Sequence, residues 1–345
     1  MEKVAQGRKG LPQRGHAGAG RRAVVRVVFF GTPDFAVPSL RALVGEGFDV
    51  VAVVTQPDAP QGRSRSTLIP PPVKVAAEGE DLTVFQPEKP TDGAFLLRLR
   101  DLKPDIGVVV AYGHILKPEL LELPRRGMVN VHPSLLPSLR GAAPVEWAII
   151  RGHEATGVTI MQLDAGMDSG PILHQIPHHL PPDVTAGELS AHLAEVGAQA
   201  LIETLAMMEQ ADPPPQPVPQ NEERATFAPK LTRAIARIDW TKDARAISYL
   251  IRGLDPRPGA WTELDGVEIK LFNPKVNEPP FPGGAGGAPG EVLSADASLV
   301  IATGPFQDTA GGRVEILEVQ PAGKARMTTD DWLRGARLKP GQRFT

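Results

Sequence analysis

Apolar residues arrive in short, separated bursts along the first 210 residues. The run VVRVVFF (24–30) is β-branched and aromatic and stops at Gly31. Such a run predicts a buried strand, followed by a turn and a helix from about Ala36. The same pattern predicts strands at 50–55, 106–111, 128–132 and 158–163. Stretches with helical spacing lie at 95–102, 145–151 and 186–210. Strands alternating with helices predict an α/β domain over 23–210, built on a doubly wound, mostly parallel sheet. Ligands of such sheets sit outside the carboxyl ends of the strands. Asn130, His132 and Asp168 are expected at or just past such ends.

The pattern changes at ADPPPQPVPQNEE (211–223). Its prolines favour an extended, semi-stiff chain, so 211–228 reads as a linker. Beyond it, one helical stretch (244–253) precedes strand-like pieces at 267–272, 290–293, 299–303 and 313–319. Gly- and Pro-rich turns separate them, including the flexible FPGGAGGAPG (281–290). Several short strands after one helix predict a small, OB-like β-barrel over 229–345. No internal repeat is visible.

A length of 345 residues suits two domains better than one core. No apolar run approaches the roughly 18–20 residues that cross a membrane. The absence of cysteine excludes disulfides, thiolate metal sites and a Cys nucleophile, and fits a reducing compartment such as the cytoplasm. Net charge is −3, so the whole chain does not announce a nucleic-acid partner. The first 22 residues differ, with six Lys or Arg facing only Glu2. They lack the apolar core of a secretory signal and read as a disordered basic extension, with RNA contact as the alternative.

Candidate chemistry concentrates in NVHPSLLPSLRGAAP (130–144) and GVTIMQLDAGMDSGPIL (157–173). Asn130 and His132 are two apart on a strand, so both side chains leave one face. An amide donor beside an imidazole can stabilise an oxyanion developing on a carbonyl. The imidazole can also carry a proton. Asp168, on a Gly-flanked loop, could orient that ring and favour its charged form. Pro133 and Pro137 restrict the intervening turn. The competing reading is a hydrogen-bonded Asn-x-His turn and an ordinary turn carboxylate. The other histidines lack partners at metal-ligand spacing, and His178–His179 reads as a solvated loop. No metal site is expected.

FFGTPDFAVPSL (29–40), QPDAPQGR (56–63), PPVK (71–74), VVVAYGHIL (108–116), NVHPSLLPSLRGAAP and LDAGMDSGP (163–171) resemble the methionyl-tRNA formyltransferase family. ARIDW (236–240), IRGLDPRPGAW (251–261), VQPAGKARM (319–327) and PGQRF (340–344) resemble that family's C-terminal domain. The resemblance implies a 10-formyltetrahydrofolate-dependent formyltransferase. Its donor is 10-formyltetrahydrofolate and its acceptor is initiator methionyl-tRNA; a monomer is the default. It also implies catalytic roles for Asn130, His132 and Asp168. Ser134, Leu135, Leu136 and Pro137 would form a folate-contacting turn. Val110, Tyr112, Gly113 and Ile115, with Leu163 and Asp164, would line the pteridine pocket.

The loop 56–70 has no regular pattern and carries Arg63 and Arg65. By resemblance Arg63 meets the acceptor end of the tRNA. Ser64, Ser66 and Thr67 stand where relatives often carry lysines. In the second domain Lys230, Arg237, Arg252 and Lys324 belong to basic clusters that suit an RNA backbone. Interleaved acids such as Asp239, Asp255 and Asp330 leave a solvated face as the alternative. Formyl transfer to an amino-sugar nucleotide shares the same triad and stays open as the principal rival. A nicotinamide-dependent oxidoreductase would show G-x-G-x-x-G after the first strand, where this chain has GTPDF. A non-catalytic RNA-binding barrel would leave the triad unexplained.

Overall fold

The computed structural model describes residues 25–61, 67–210, 213, 216–277, 287–296, 298–305 and 311–345. The basic extension 1–22, Arg63, Arg65 and part of the Pro-rich linker lie outside the described residues.

Among the described residues the first domain holds nine strands: β1 Arg26–Gly31, β2 Asp49–Val54, β3 Ala59–Gln61, β4 Thr67–Ile69, β5 Val84–Phe85, β6 Ile106–Val110, β7 Met128–His132, β8 Ala155–Gln162 and β9 Ile172–His179. Its helices are α1 Val37–Gly45, α2 Pro72–Gly79, α3 Gly93–Asp101, α4 Pro118–Leu121, α5 Pro144–Ile150 and α6 Ala186–Gln210. The main sheet runs β5-β2-β1-β6-β7-β8-β9. Its first five strands are parallel, and β8 and β9 add an antiparallel edge. The expected doubly wound sheet is therefore present, and its strand order reverses between β1 and β6. Chains leaving those two strands part to opposite faces and open a crevice.

Strand periodicity assigns the two faces. Val27, Phe29, Val108, Val110, Val129 and Val131 pack under α1, α2, α5 and α6. Val28, Phe30, Val109 and Met128 face the other way, toward α3 and α4. Local chemistry fixes the helix starts. Asp92 caps α3 by accepting from Phe95 N at 2.9 Å. Thr185 and Glu188 exchange hydrogen bonds ahead of α6, a capping box. On either side of 62–66, where the sequence pattern showed no regular structure, β3 and β4 pair antiparallel from Ala59–Ile69 to Gln61–Thr67. His178 and His179 also depart from the solvated-loop reading, because they end edge strand β9. Burial of its partner strand β8, more than local polarity, sets that segment.

The second domain opens with α7 Ala244–Gly253, capped by Asp243. Among the described residues six strands follow: β10 Ala260–Leu264, β11 Val267–Asn277, β12 Val292–Ser294, β13 Leu299–Ala302, β14 Arg313–Pro321 and β15 Met327–Thr328. Helix α8, Thr329–Ala336, packs beside β14. The sheet β10-β11-β14-β13-β12 is antiparallel and curled. Residues 341–345 bridge its two edges. Thr345 exchanges backbone bonds with Glu263 of β10, while Gln342 O accepts from Val292 N of β12 at 2.8 Å. Phe344 seats against Trp240 with ring centroids 6.0 Å apart. The two domains dock through α5 and α7, where Gly253 leaves room for Ile150. Among the described residues no helix is long and apolar enough to cross a membrane.

Candidate active site

Strand β7 presents Asn130 and His132 on the face opposite Val129 and Val131. Both side chains border a cavity of about 730 Å³. The cavity occupies the crevice beside the β1/β6 reversal, with Pro33–Phe35 on one side and 111–116 on the other. Asp168 reaches it by a different route from the one expected. Strand β8 runs antiparallel, so its carboxyl end lies next to the start of β7. The excursion 163–171 brings the carboxylate back to His132.

His132 is almost fully buried. Its Nε2 lies 3.0 Å from Leu139 O, which can only accept, so that nitrogen carries the hydrogen. Its Nδ1 faces Asp168 Oδ2 at 3.8 Å. Burial pushes the imidazole below its ordinary range, and the Asp168 charge and the Leu139 carbonyl pull it back up. Burial wins, so the neutral ring is the resting form, with Nδ1 open. Asp168 Oδ2 also accepts from Gly141 N at 2.8 Å. Asp168 itself sits at φ +51°, a left-handed conformation that few non-glycine residues adopt.

The residues expected to contact folate divide. Tyr112, Gly113, Ile115, Leu163 and Asp164 border the cavity. Gly113 has φ +88°, and a Cβ there would lie 2.4 Å from Gln56 Nε2. Tyr112 is buried, its hydroxyl has no partner among the described residues, and burial pushes its pKa up to about 12. The Val110 side chain does not border the cavity. It packs in the opposite core, and its neighbour Val109 borders the cavity instead, because a one-residue step along a strand reverses the face. Ser134, Leu135, Leu136 and Pro137 also lie off the cavity wall. They form a tied turn beneath it. Ser134 Oγ donates to Ser138 O at 2.6 Å, and Leu136 N donates to Thr159 Oγ1 at 3.1 Å. The turn places Leu139 and Gly141, which hold His132 and Asp168.

Of the basic residues assigned to RNA, Lys230, Arg237 and Lys324 are exposed. Arg237 lies over the Trp261 ring and 3.9 Å from Glu263. Arg252 is not available: it is 6% exposed and donates from Nη1 to Val184 O at 2.8 Å, tying α7 to the first domain. Helical spacing within α7 turns it inward beside Ile251. Of the interleaved acids, Asp255 binds Arg326, which also pairs with Glu318. The sequence reading passed over Arg140 and Gln220. Arg140 stands in the motif RGAAP, but Gln220 carries no local signal at all.

Residues 25–205 match the family model described as Formyl transferase, and residues 230–337 match Formyl transferase, C-terminal domain. The methionyl-tRNA formyltransferase of Acetivibrio thermocellus is 43% identical over 319 residues, covering 92% of this chain and 99% of that protein. Among solved structures, the methionyl-tRNA formyltransferase from Clostridium thermocellum superposes with TM-score 0.53 at 17% identity, covering 74% of this chain and 94% of that one. An N-formyltransferase from Helicobacter canadensis, in complex with folinic acid and dTDP-3-aminofucose, gives TM-score 0.62 at 18% identity, covering 86% of this chain and 100% of that one. These likenesses to solved structures concern the fold alone. The chain belongs to the methionyl-tRNA formyltransferase family, within the formyl transferases, and is a formyl-transferring enzyme.

Proposed function

We propose that this enzyme transfers the formyl group of 10-formyltetrahydrofolate to the α-amine of initiator methionyl-tRNA. The observation that carries the reading is the convergence of Asn130, His132 and Asp168 on one cavity, with His132 Nδ1 3.8 Å from Asp168 Oδ2. The cavity volume of about 730 Å³ lies within the usual range for small-molecule sites. Tyr112, Ile115, Leu116 and Leu163 offer apolar surface for a flat ring.

The roles follow from the geometry. Asn130 offers its amide N–H to the formyl oxygen as that oxygen gathers negative charge. Such a donor is worth ~3–4 kcal/mol, or about 100- to 1000-fold in rate. His132, neutral and open at Nδ1, takes the proton that the attacking amine releases. Asp168 stabilises the imidazolium so formed. His132 then returns the proton to the departing nitrogen of the donor, so the charges balance over the reaction. Lys230, Arg237 and Lys324, with Arg63 and Arg65 from the 56–70 loop, hold the RNA backbone.

The decisive test is formyl transfer from 10-formyltetrahydrofolate to initiator methionyl-tRNA, elongator methionyl-tRNA and an amino-sugar nucleotide in parallel. Rapid formylation of the initiator alone is expected. Formylation of the sugar nucleotide alone would keep the chemistry and discard the acceptor.

A further inference from the structure

The segment between the domains does more than join them. From Gln216 to Pro229 it lies bonded along the loops that carry the site. Val218 pairs with Ile172 at the edge of β9, with both backbone bonds at 2.8 Å. Farther on, Thr226 O accepts from Arg140 N, and Ala228 N donates to Arg140 O. Thr226 Oγ1 accepts from Leu139 N at 2.9 Å, and Leu139 is the residue whose carbonyl holds His132. Gly141 has φ +118°, and a Cβ there would sit 2.8 Å from Ala228 O, so strap and loop are in close contact.

Gln220 is the centre of this arrangement. Its Nε2 donates to Asp168 O at 2.9 Å and to Gly170 O at 2.7 Å. Its Oε1 accepts from Arg140 Nε at 3.0 Å and Nη2 at 2.8 Å. The guanidinium can only donate, so it fixes which way the amide faces. Arg140 is 3% exposed, and its other edge is held by both carboxylate oxygens of Glu222 at 2.8 Å. All four bonds of the Gln220 amide are therefore used. Two of them fall on the strained turn that aims the Asp168 carboxylate.

We propose that Gln220, locked by Arg140, is a positioning residue that clamps the 168–170 turn and so holds Asp168 against His132 and Gly141. The proposal rests on the catalytic role of Asp168 given above. A shift of about 1 Å at a positioned catalytic group can cost roughly 100-fold in rate. Without the clamp, the left-handed Asp168 loses the bonds that offset its strain.

The test compares the full-length enzyme with Gln220→Met, Asp168→Asn and the double variant. Gln220→Met is expected to lower kcat about ten- to hundredfold and leave KM for the formyl donor within about twofold. Its His132 ring, followed by NMR, should titrate at lower pH, as in Asp168→Asn, because the raising charge has moved away. In the double variant the losses should not multiply, because Gln220 acts through Asp168. A Gln220→Met enzyme within twofold of the parent in kcat, or fully multiplicative losses, overturns the clamp. A fast Asp168→Asn enzyme instead overturns the role of Asp168 on which the clamp depends. Should Gln220→Met fail to fold, Gln220→Glu keeps the Arg140 partner while losing both donations, and the same kinetic criteria apply.

Discussion

At the scale of single residues, the site depends on polar groups held where water cannot compete. Asn130 is 9% exposed and His132 4%. Asn130→Ala removes the side-chain amide that the proposed mechanism offers to the formyl oxygen. A fall in kcat of about 100- to 1000-fold is expected, with donor binding by equilibrium titration little changed. A near-normal rate would remove Asn130 from the chemistry. His132 makes a second prediction. Burial holds its folded pKa below the unfolded value near 6.5, and Asp168 opposes that shift. The ring should therefore titrate by NMR at lower pH than an imidazole of the unfolded chain. Asp168→Asn should move it lower still, because the raising charge is gone. The sign carries to stability. The neutral ring's contribution is fully present above the unfolded value and is lost as pH falls through the folded one. Movement upward in Asp168→Asn would show that the carboxylate does not face the ring as a charge.

At the scale of elements, two features bring together the groups proposed for the chemistry. Strand β7 fixes the spacing of Asn130 and His132 through its pleat. The antiparallel β7/β8 pair then sends the 163–171 excursion back over the same face. A parallel β8 would have delivered Asp168 from the other side. Helix α7 illustrates how element packing overrides composition. Arg252 belongs to a basic cluster in the sequence, yet it is a strut to Val184. Arg252→Ala leaves the Val184 carbonyl short of a donor and opens a gap between the domains. A loss of about 1–3 kcal/mol is expected in denaturant unfolding. RNA affinity at fixed temperature, and its slope with salt, should not change. A shallower salt slope in this variant would return Arg252 to the RNA interface.

At the scale of the whole molecule, a chain of net charge −3 must bind a polyanion through local surface. Lys230, Arg237 and Lys324 remain exposed, with Arg237 near Glu263, while Arg233, Arg326 and Arg334 pair with Glu268, Asp255 and Asp331. RNA affinity should fall steeply with salt. About four neutralised phosphates correspond to roughly a 100-fold loss over a fourfold rise in salt. Each of Lys230→Ala and Lys324→Ala should reduce that slope by about one unit or less. An affinity flat across the same range would exclude a backbone-driven contact.

Much of this was legible in the chain itself. Short β-branched runs alternating with amphipathic stretches determine a parallel α/β sheet, because buried strands and half-buried helices need those two periods. The helix 186–210 and the helix 244–253 are readable from helical spacing alone. Asn130 and His132 share a face by the pleat, whatever surrounds them. Other features depend on contacts distant in sequence. The resemblance put Val110 at the pocket, but only the packing of α1 and α6 shows that Val109 faces it. Leu139 became the partner of His132 only through the turn tied by Thr159. Gln220 lies 52 residues from Asp168 in a stretch that reads as a plain linker. Periodicity reports what each residue presents to its own element. Burial, the lowered His132 pKa and the clamp on Asp168 arise between elements, so only the tertiary structure could decide them.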